Sequence, residues 1–408
     1  MDAGEEMVIG VIGGGASGMV AALAAGENEN VQVILFERQA RLGRKLQATG
    51  NGRCNLTNLN ADGHSYYGDA PGFAAAALAS FDVRHTLEWF GSLGLFTTAE
   101  PSGRVYPYSD QANSVVDVLR FALEKKNIRQ ELGFEITRVR RAEGKFVLEG
   151  SGGNVTCDKV IVACGGLAGT KLGGSMSGYQ MLRSMGHHMT RLRPALVQLK
   201  CGWNGIGALK GVRANCRAQI LCDGEVRGES VGEIQFTEYG LSGPVIFEVS
   251  RDACQGKGNW LCRLDLLPDH SYQQLRSELQ RRTATNLSVE ELLTGILHNR
   301  LGRVLTKAVG ICVNRKISEL TSAQLDEVCA AVKSFEIALT EPLGMDSAQV
   351  TAGGMLTGEF DPETMESKLV PGLYACGEVL DIDGQCGGYN LQWAWSSGRC
   401  AGLSAGKE

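Results

Sequence analysis

No uncharged apolar run in the 408 residues approaches the roughly 20 that a membrane span needs. The stretch from Ala70 to Phe81 is among the longest and is too short. The opening Met1-Asp2-Ala3-Gly4-Glu5-Glu6 is acidic and lacks a basic n-region, so no secretory signal is expected. There are 13 cysteines but no C-x-x-C pair. An odd number scattered through a large chain is neither a disulfide framework nor a zinc pattern, and it fits a reducing cytoplasm. The net charge of −5 argues against a protein held mainly by nucleic-acid phosphates. Internal repeats and low-complexity tracts are missing too. With 43% hydrophobic and 21% charged residues, what remains is an ordinary globular composition. The length is enough for roughly two to three domains and a large core. Glycine is the outlier: 54/408 is 13%, against about 7% usually. Without a collagen-like period, that glycine serves tight turns and close backbone approach.

The first forty residues say where. Met7 to Ile12 is a continuous apolar run, as expected of a strand buried on both faces. Gly13-Gly14-Gly15-Ala16-Ser17-Gly18 follows, then the helix-prone Met19 to Ala25, then a second apolar strand, Val31 to Phe36, ending in Glu37. In a chain this rich in glycine, a G-x-G-x-x-G frame arises by chance about once (about 0.13³ × 400), so the context carries the information. The strand lies before it, the helix after it, and the acid at a strand end 37 − 18 = 19 residues past the third glycine. Gly13 allows the tight turn, Gly15 lets the backbone approach a pyrophosphate, and Gly18 lets helix and strand pack. The amides of Ala16 and Ser17 open a helix whose N-terminus favours the anion. Glu37 takes ribose hydroxyls and disfavours a 2′-phosphate, leaving NAD or FAD. Two more strands run into glycines: Asp158 to Gly166, through Ala163 and Gly165, and Gly372 to Glu378, where Gly377 precedes the acid. A strand ending in Gly-Glu before a glycine-rich turn and helix is how two-dinucleotide-fold flavoproteins hold ribityl and pyrophosphate. No second fingerprint exists for a separate nicotinamide domain.

Several blocks extend this reading. They are Thr49-Gly50-Asn51-Gly52-Arg53-Cys54-Asn55-Leu56-Thr57-Asn58, Gly103-Arg104-Val105-Tyr106-Pro107, Phe236 through Pro244, Thr351-Ala352-Gly353-Gly354, and the run from Gly377 to Gly398. On these the chain resembles the YhiN/BaiN-type flavoproteins, also described as aminoacetone-oxidase-family FAD-binding proteins. They are distant relatives of the fumarate reductase flavoproteins, and the likeness covers nearly the whole chain. The resemblance implies an α/β fold of the two-dinucleotide-binding (Rossmann-like) type that binds FAD, with an inserted β-barrel-like plus helical domain. It has one departure. The family pattern has Phe-Thr-His before the Gly-Leu-Ser-Gly-Pro turn, and this chain has Phe236-Thr237-Glu238-Tyr239. A proton-transfer role for that histidine is therefore not carried over.

The domain reading places the first part of the FAD-binding domain at 1–193, the insert at 194–345 and the return at 346–408. Within the insert, 194–268 reads as β-rich and 269–345 as helical. Ala195 to Cys201, Cys216 to Arg227, Val231 to Thr237 and Trp260 to Leu266 read as strands, with Asp223-Gly224 a hairpin signal. Ser288 to Glu291 and Thr321 to Gln324 have capping-box spacing. Asp346 to Met355 is expected to return to the main sheet.

Arg38, Arg41, Arg44, Lys45 and Arg53 form a basic stretch with no acid between Glu37 and Asp62. Arg38 and Arg41 read mainly as a solvated face, whereas Lys45 and Arg53, next to glycines, read as charge for FAD phosphates or an anionic substrate. No aromatic residue interleaves with them, as a nucleic-acid platform would need. The segment from Asp381 to Gln392, with Gly388, Asn390 and Leu391, is expected to open a final helix toward the flavin pyrimidine edge, where its positive end would stabilise the reduced ring. Trp393 and Trp395 read as packing groups and Cys54 as a buried structural thiol. His187-His188 diverge, read as surface or capping residues and make no ligand pair, so no metal is expected. Arg53, Tyr106, Tyr108, Glu238 and Tyr239 are candidates near the expected cleft between fold and insert, and no single catalytic residue is assigned. The expected function is an FAD-dependent, cytoplasmic oxidoreductase moving hydride through flavin N5. Two forms are implied by the resemblance: an NAD(P)H-linked reductase of an activated C=C bond in a small, steroid- or bile-acid-like substrate, or an oxidase of small amines or aminoketones. A flavin-binding module or RNA-modifying flavoprotein is the reading of another class.

Overall fold

The computed structural model describes residues 6–126, 128–253 and 255–407. They divide into two compact units, Met1–Arg193 with Gln349–Glu408, and Pro194–Ala348. The first unit is built on a five-stranded parallel sheet, in the order Leu373–Ala375, Lys159–Val162, Met7–Ile12, Val31–Glu37, Arg129–Leu132. Its central strand is apolar because both faces are covered: Ile9 and Val11 are fully buried, and so are their neighbours Val160 and Ile161. The first helix, Ala16–Ala25, is buried from Ser17 to Ala25. Such a helix needs small residues where another helix crosses it. The last helix, Tyr389–Ala405, supplies them. A Cβ on Gly398 would stand 2.5 Å from the Ser17 carbonyl oxygen, and one on Gly402 would run into that of Ala21. Each glycine costs its helix about 0.5–1 kcal/mol against alanine, a cost offset by backbone-to-backbone packing.

Three expectations for this unit need correction. Asp346 to Met355 does not return to the five-stranded sheet: Val350–Ala352 lies outside it. The sheet edge beyond Leu373–Ala375 is taken by Glu366, bridged antiparallel to Tyr374. The last helix begins at Tyr389 rather than Asp381, because Asp383–Gly384 pairs with Tyr66–Tyr67 and Gly388, at φ 103°, turns the chain into the helix. His187 is buried rather than superficial, hydrogen-bonded to Leu182 O and to Ser367.

The second unit carries a closed six-stranded barrel, Leu199–Cys201, Gly240–Ser242, Glu225–Phe236, Arg213–Cys222, Trp260–Asp265 and Phe335–Pro342. Asp223 and Gly224 form the expected hairpin turn, both at positive φ (51° and 87°), as a two-residue turn requires. The hairpin is longer than its sequence pattern suggests, since Arg213–Cys222 pairs with Glu225–Phe236 along its length. Ala195 to Cys201 is not one strand: Leu196, at φ 49°, interrupts it. Three helices, Tyr272–Arg282, Asn299–Ala308 and Ser322–Lys333, follow. Both expected capping boxes form, the one at Ser288 opening a short 3₁₀ turn and the one at Thr321 an α-helix. The stretch 269–345 is not helical throughout. Phe335–Pro342 closes the barrel, with Phe335, Ile337 and Leu339 buried and the residues between them exposed, a two-residue period that marks a strand.

Twelve described cysteines are free. Burial pushes the thiols of Cys54, Cys157, Cys216 and Cys376 from an ordinary 9.0 up to about 12. A thiol held protonated in the native state stabilises it fully below pH 9, and this is lost as pH rises toward 12, when the unfolded chain ionises first. Each costs up to about 1.4 kcal/mol per pH unit in that window. Melting in reductant is therefore expected at clearly lower temperature at pH 10.5 than at pH 8. A midpoint that does not move would contradict the protonated assignment.

Candidate active site

The turn after the first strand gives its three glycines three different surroundings. Gly13, at φ 113°, lies so close to the end of the Lys159–Val162 strand that a Cβ would run into the Ala163 carbonyl. A Cβ on Gly18 would collide with the Gly13 carbonyl, so helix and turn touch directly. Gly15 is open: a Cβ there meets nothing within 4 Å. It caps the first helix with no side-chain acceptor, and no acid stands in the first turn, which includes Ala16 and Ser17. Glu37 Oε2 accepts from Gly14 N at 2.8 Å, and Oε1 from Gln39 N at 2.7 Å, so the acid stands beside the turn. This is the cradle a dinucleotide pyrophosphate and ribose fit: two closed glycines, one open, a bare helix N-terminus and an acid.

Further site residues close around the same sheet end. Ala163 N donates to Ile12 O at 2.8 Å. Gly377 stands where a Cβ would meet Ser17 Oγ at 2.5 Å. Glu378 is held from two sides, by Lys45 Nζ at 2.7 Å and by Thr351 N at 2.8 Å, while Thr351 Oγ1 accepts from Ala168 N at 2.9 Å. Gly165, at φ 69°, has open space where its side chain would be. Asp381 is buried and accepts from Asp69 N at 3.2 Å and Thr190 Oγ1 at 2.9 Å.

A second group gathers where the last helix opens. Gly388 abuts the Thr57 carbonyl, and Asn390 ties the turn by accepting from Gly384 N at 2.8 Å and donating to Gly384 O at 2.8 Å. Leu391 packs half-buried against the core. The loop 49–55 runs through a series of left-handed residues, Gly50, Asn51, Gly52 and Cys54, two of them not glycine. A buried thiol held at φ 61° is strain that surrounding structure must impose. Beside it the Asn55 Oδ1 is buried without a hydrogen-bond partner, as expected of a group that faces a ligand. Two indoles join both groups to the last helix: Trp393 Nε1 donates to Gly377 O at 3.1 Å and Trp395 Nε1 to Leu56 O at 2.8 Å.

The basic stretch does something other than its spacing suggests. Arg38 donates to Gly173 O at 2.6 Å and pairs with Glu135. Lys45 is paired with Glu378. Arg53 pairs with Asp110 at 2.5 Å and with Glu100 at 3.4 Å, and its guanidinium lies 4.0 Å over the Tyr106 ring. Arg38, Lys45 and Arg53 are thus engaged by the protein's own acceptors, whereas the first helix opens with no side-chain cap. Tyr108 is exposed. In the barrel unit Tyr239 is exposed and Glu238 is engaged by Lys210 at 2.5 Å, which holds its carboxyl below the ordinary range. The residues that sequence reasoning passes over are partners rather than motifs. Thr351 stands in one of the characteristic blocks with no role of its own there. Gln392, fully buried, accepts from Thr57 Oγ1 at 2.6 Å and donates to Thr86 Oγ1, Phe81 O and Ser396 Oγ; a glutamine and a serine one turn apart beside two tryptophans are its signal.

The open and closed glycines separate two effects. Gly15→Val is expected to leave the melting midpoint of the cofactor-free protein nearly unchanged while abolishing FAD uptake. Gly18→Val is expected to cost at least about 1–3 kcal/mol of stability from overpacking. Equal FAD uptake by Gly15→Val and wild type would remove the turn from the site.

Comparison with known proteins places the chain in a family. Residues 7–404 match the family model described as the HI0933-like protein Rossmann domain. Among curated proteins, a 3-dehydro-bile acid delta(4,6)-reductase of Clostridium scindens is 41% identical over 403 residues, covering 97% of this chain and 98% of that protein. A ribosomal RNA dihydrouridine synthase of Escherichia coli is 31% identical over 389 residues, 95% of each. Among solved structures, a 3-ketosteroid delta1-dehydrogenase from Sterolibacterium denitrificans shares the fold at 12% identity, with a TM-score of 0.51 over 98% of this chain and 99% of that one. The chain thus belongs to the HI0933-like Rossmann family of FAD-binding proteins, the YhiN/BaiN type, and is an FAD-dependent oxidoreductase.

Proposed function

We propose that this protein is an NAD(P)H-linked reductase of a carbon–carbon double bond conjugated to a carbonyl, in a small steroid-like substrate. The observation that carries the reading is end-to-end identity of 41% to a protein named for reducing a 3-dehydro-bile acid at its 4,6 double bonds. Bound FAD supplies a two-electron carrier that takes hydride from a nicotinamide and gives it to the electron-poor carbon of the double bond. The chain's own residues do the holding. Gly15, Ala16 and Ser17 present backbone amides to the pyrophosphate, Glu37 the ribose acceptor, and Glu378, fixed by Lys45 and Thr351, the ribityl side. Asn55, with its free Oδ1, and the turn at Gly388 would face the ring system. Without a second glycine fingerprint, the nicotinamide binds only transiently. The free thiols among the described residues support a reducing, cytoplasmic setting.

A second reading has its own support. The Escherichia coli relative is named for making dihydrouridine in ribosomal RNA. A uracil ring also presents a double bond conjugated to a carbonyl, so the two readings share one chemistry and differ in what carries the double bond. The net charge of −5 favours the small molecule, since an RNA substrate is held largely through its phosphates.

The holoenzyme, reduced anaerobically with NADH or NADPH, is expected to regain its oxidised flavin band on adding a 3-oxo-4,6-diene steroid, and not with ribosomal RNA. Reoxidation by RNA alone would favour the second reading. Reoxidation by neither, with rapid reaction toward dioxygen and reduction by amines, would replace both with the oxidase.

A further inference from the structure

Among the described residues the Arg104 side chain pairs with no acid: Glu100, whose N donates to Arg104 O at 2.8 Å across the sheet, turns its carboxylate to Arg53. The strand Arg104–Pro107 pairs antiparallel with Thr57–Asn58 on one side and Thr97–Ala99 on the other. Arg104 and Tyr106 are two residues apart and so share one face of this sheet. On that face Asn58 Nδ2 donates to Gly387 O at 2.9 Å, and a Cβ on Gly387 would stand 2.8 Å from Arg104 Nε. The guanidinium thus lies on the turn that opens the last helix. Two residues further on the helix begins, with no side-chain cap and no acid in its first turn.

The contrast with Arg53 is informative. Arg53 has Asp110 and Glu100 for its charge. Arg104 is half-buried and, among the described residues, its side chain makes no hydrogen bond or ion pair. Tyr106 is only 6% exposed, and its hydroxyl makes no hydrogen bond among the described residues. Burial first, and then the Glu100 charge, push the Tyr106 phenol above its ordinary value, so it stays a proton donor. A half-buried cation, a buried phenol and a bare helix N-terminus stand together as donors without an acceptor. A ligand that brings an acceptor meets donors that no side chain of the protein has claimed.

We propose that Arg104 and Tyr106, with the opening turn of the last helix, form an oxyanion-binding face for a delocalised, enolate-type oxygen. This rests on the reductase reading, whose chemistry presents such an oxygen twice. A reduced flavin carries negative charge along its N1–C2 carbonyl edge. The substrate would develop one too: as the N5–H bond of the reduced flavin broke, its hydride would form a C–H bond at the β-carbon, the π pair of the double bond would move onto the carbonyl oxygen, and a proton from water would then add at the α-carbon. The substrate is reduced by two electrons and the flavin, recharged by NAD(P)H, is oxidised by two. Both sources have the same chemistry, and the face stabilises whichever is seated on it.

The test uses holoenzyme in four forms: wild type, Arg104→Met, Arg104→Lys and Tyr106→Phe. One readout is the midpoint potential of bound FAD by dye equilibration. The other is the dissociation constant of 4-chlorophenolate, an enolate mimic, from the long-wavelength band it gives against oxidised flavin. If the seated oxygen is the flavin's, Arg104→Met makes FAD at least tenfold harder to reduce, about 30 mV for a two-electron couple. Arg104→Lys then recovers part of this and phenolate affinity holds. If it is the substrate's, phenolate affinity falls at least tenfold in Arg104→Met and by a smaller factor in Tyr106→Phe, with the potential unmoved. Both quantities unchanged in Arg104→Met overturn the proposal, as does a wild type that binds no phenolate together with an unmoved potential. Should Arg104→Met fail to fold, Arg104→Gln carries the same prediction. Failure of the flavin reading shows separately, as wild-type protein that takes up no FAD. Phenolate binding is then read by calorimetry: its loss in Arg104→Met keeps the face, and its absence from wild type removes it.

Discussion

The first helix has no room for a side chain at either of the places where it is gripped. At its start, Gly18 sits on the Gly13 carbonyl; along its length, Gly398 and Gly402 of the last helix sit on the carbonyls of Ser17 and Ala21. Everything that makes the site depends on these backbone contacts. They set the N-terminus of the first helix against the sheet end, and they bring the last helix to the turn from which Glu378 projects. Trp393 and Trp395 complete the join through hydrogen bonds to Gly377 O and Leu56 O. A glycine-rich chain usually sacrifices helix stability; here the sacrifice falls where two backbones must touch.

Charge follows from that geometry. Lys45, Arg38 and Arg53 each meet an acceptor supplied by the chain, so they brace the site rather than wait for an anion. On the proposed reading, phosphate recognition falls to amides and the helix field, which act at short range and need no desolvated cation. The Arg104 side chain, on the turn that opens the last helix, meets no such acceptor among the described residues.

The main sheet and the dinucleotide turn are legible in the sequence because they depend on local order: an apolar strand, three glycines and an acid within one βαβ unit. The barrel hairpin at Asp223-Gly224 and the capping boxes at Ser288 and Thr321 are legible for the same reason. The partners of the basic stretch are not, since Glu378 lies 333 residues from Lys45 and Asp110 lies 57 from Arg53. Spacing alone makes a run of cations look free. Phe335–Pro342 hides behind the helices that precede it in sequence, although its alternation of buried and exposed residues is that of a strand. The last helix starts later than its sequence suggests because Asp383–Gly384 pairs with Tyr66–Tyr67, a contact no local pattern reveals.

The most direct measurement is a crystal structure of the FAD complex. The account predicts pyrophosphate oxygens within hydrogen-bonding distance of the amides at Gly15, Ala16 or Ser17, the adenosine ribose on Glu37, and the Lys45–Glu378 and Arg53–Asp110 pairs intact. Phosphates carried instead by Lys45 or Arg53, with those pairs broken and the glycine turn empty, would contradict it.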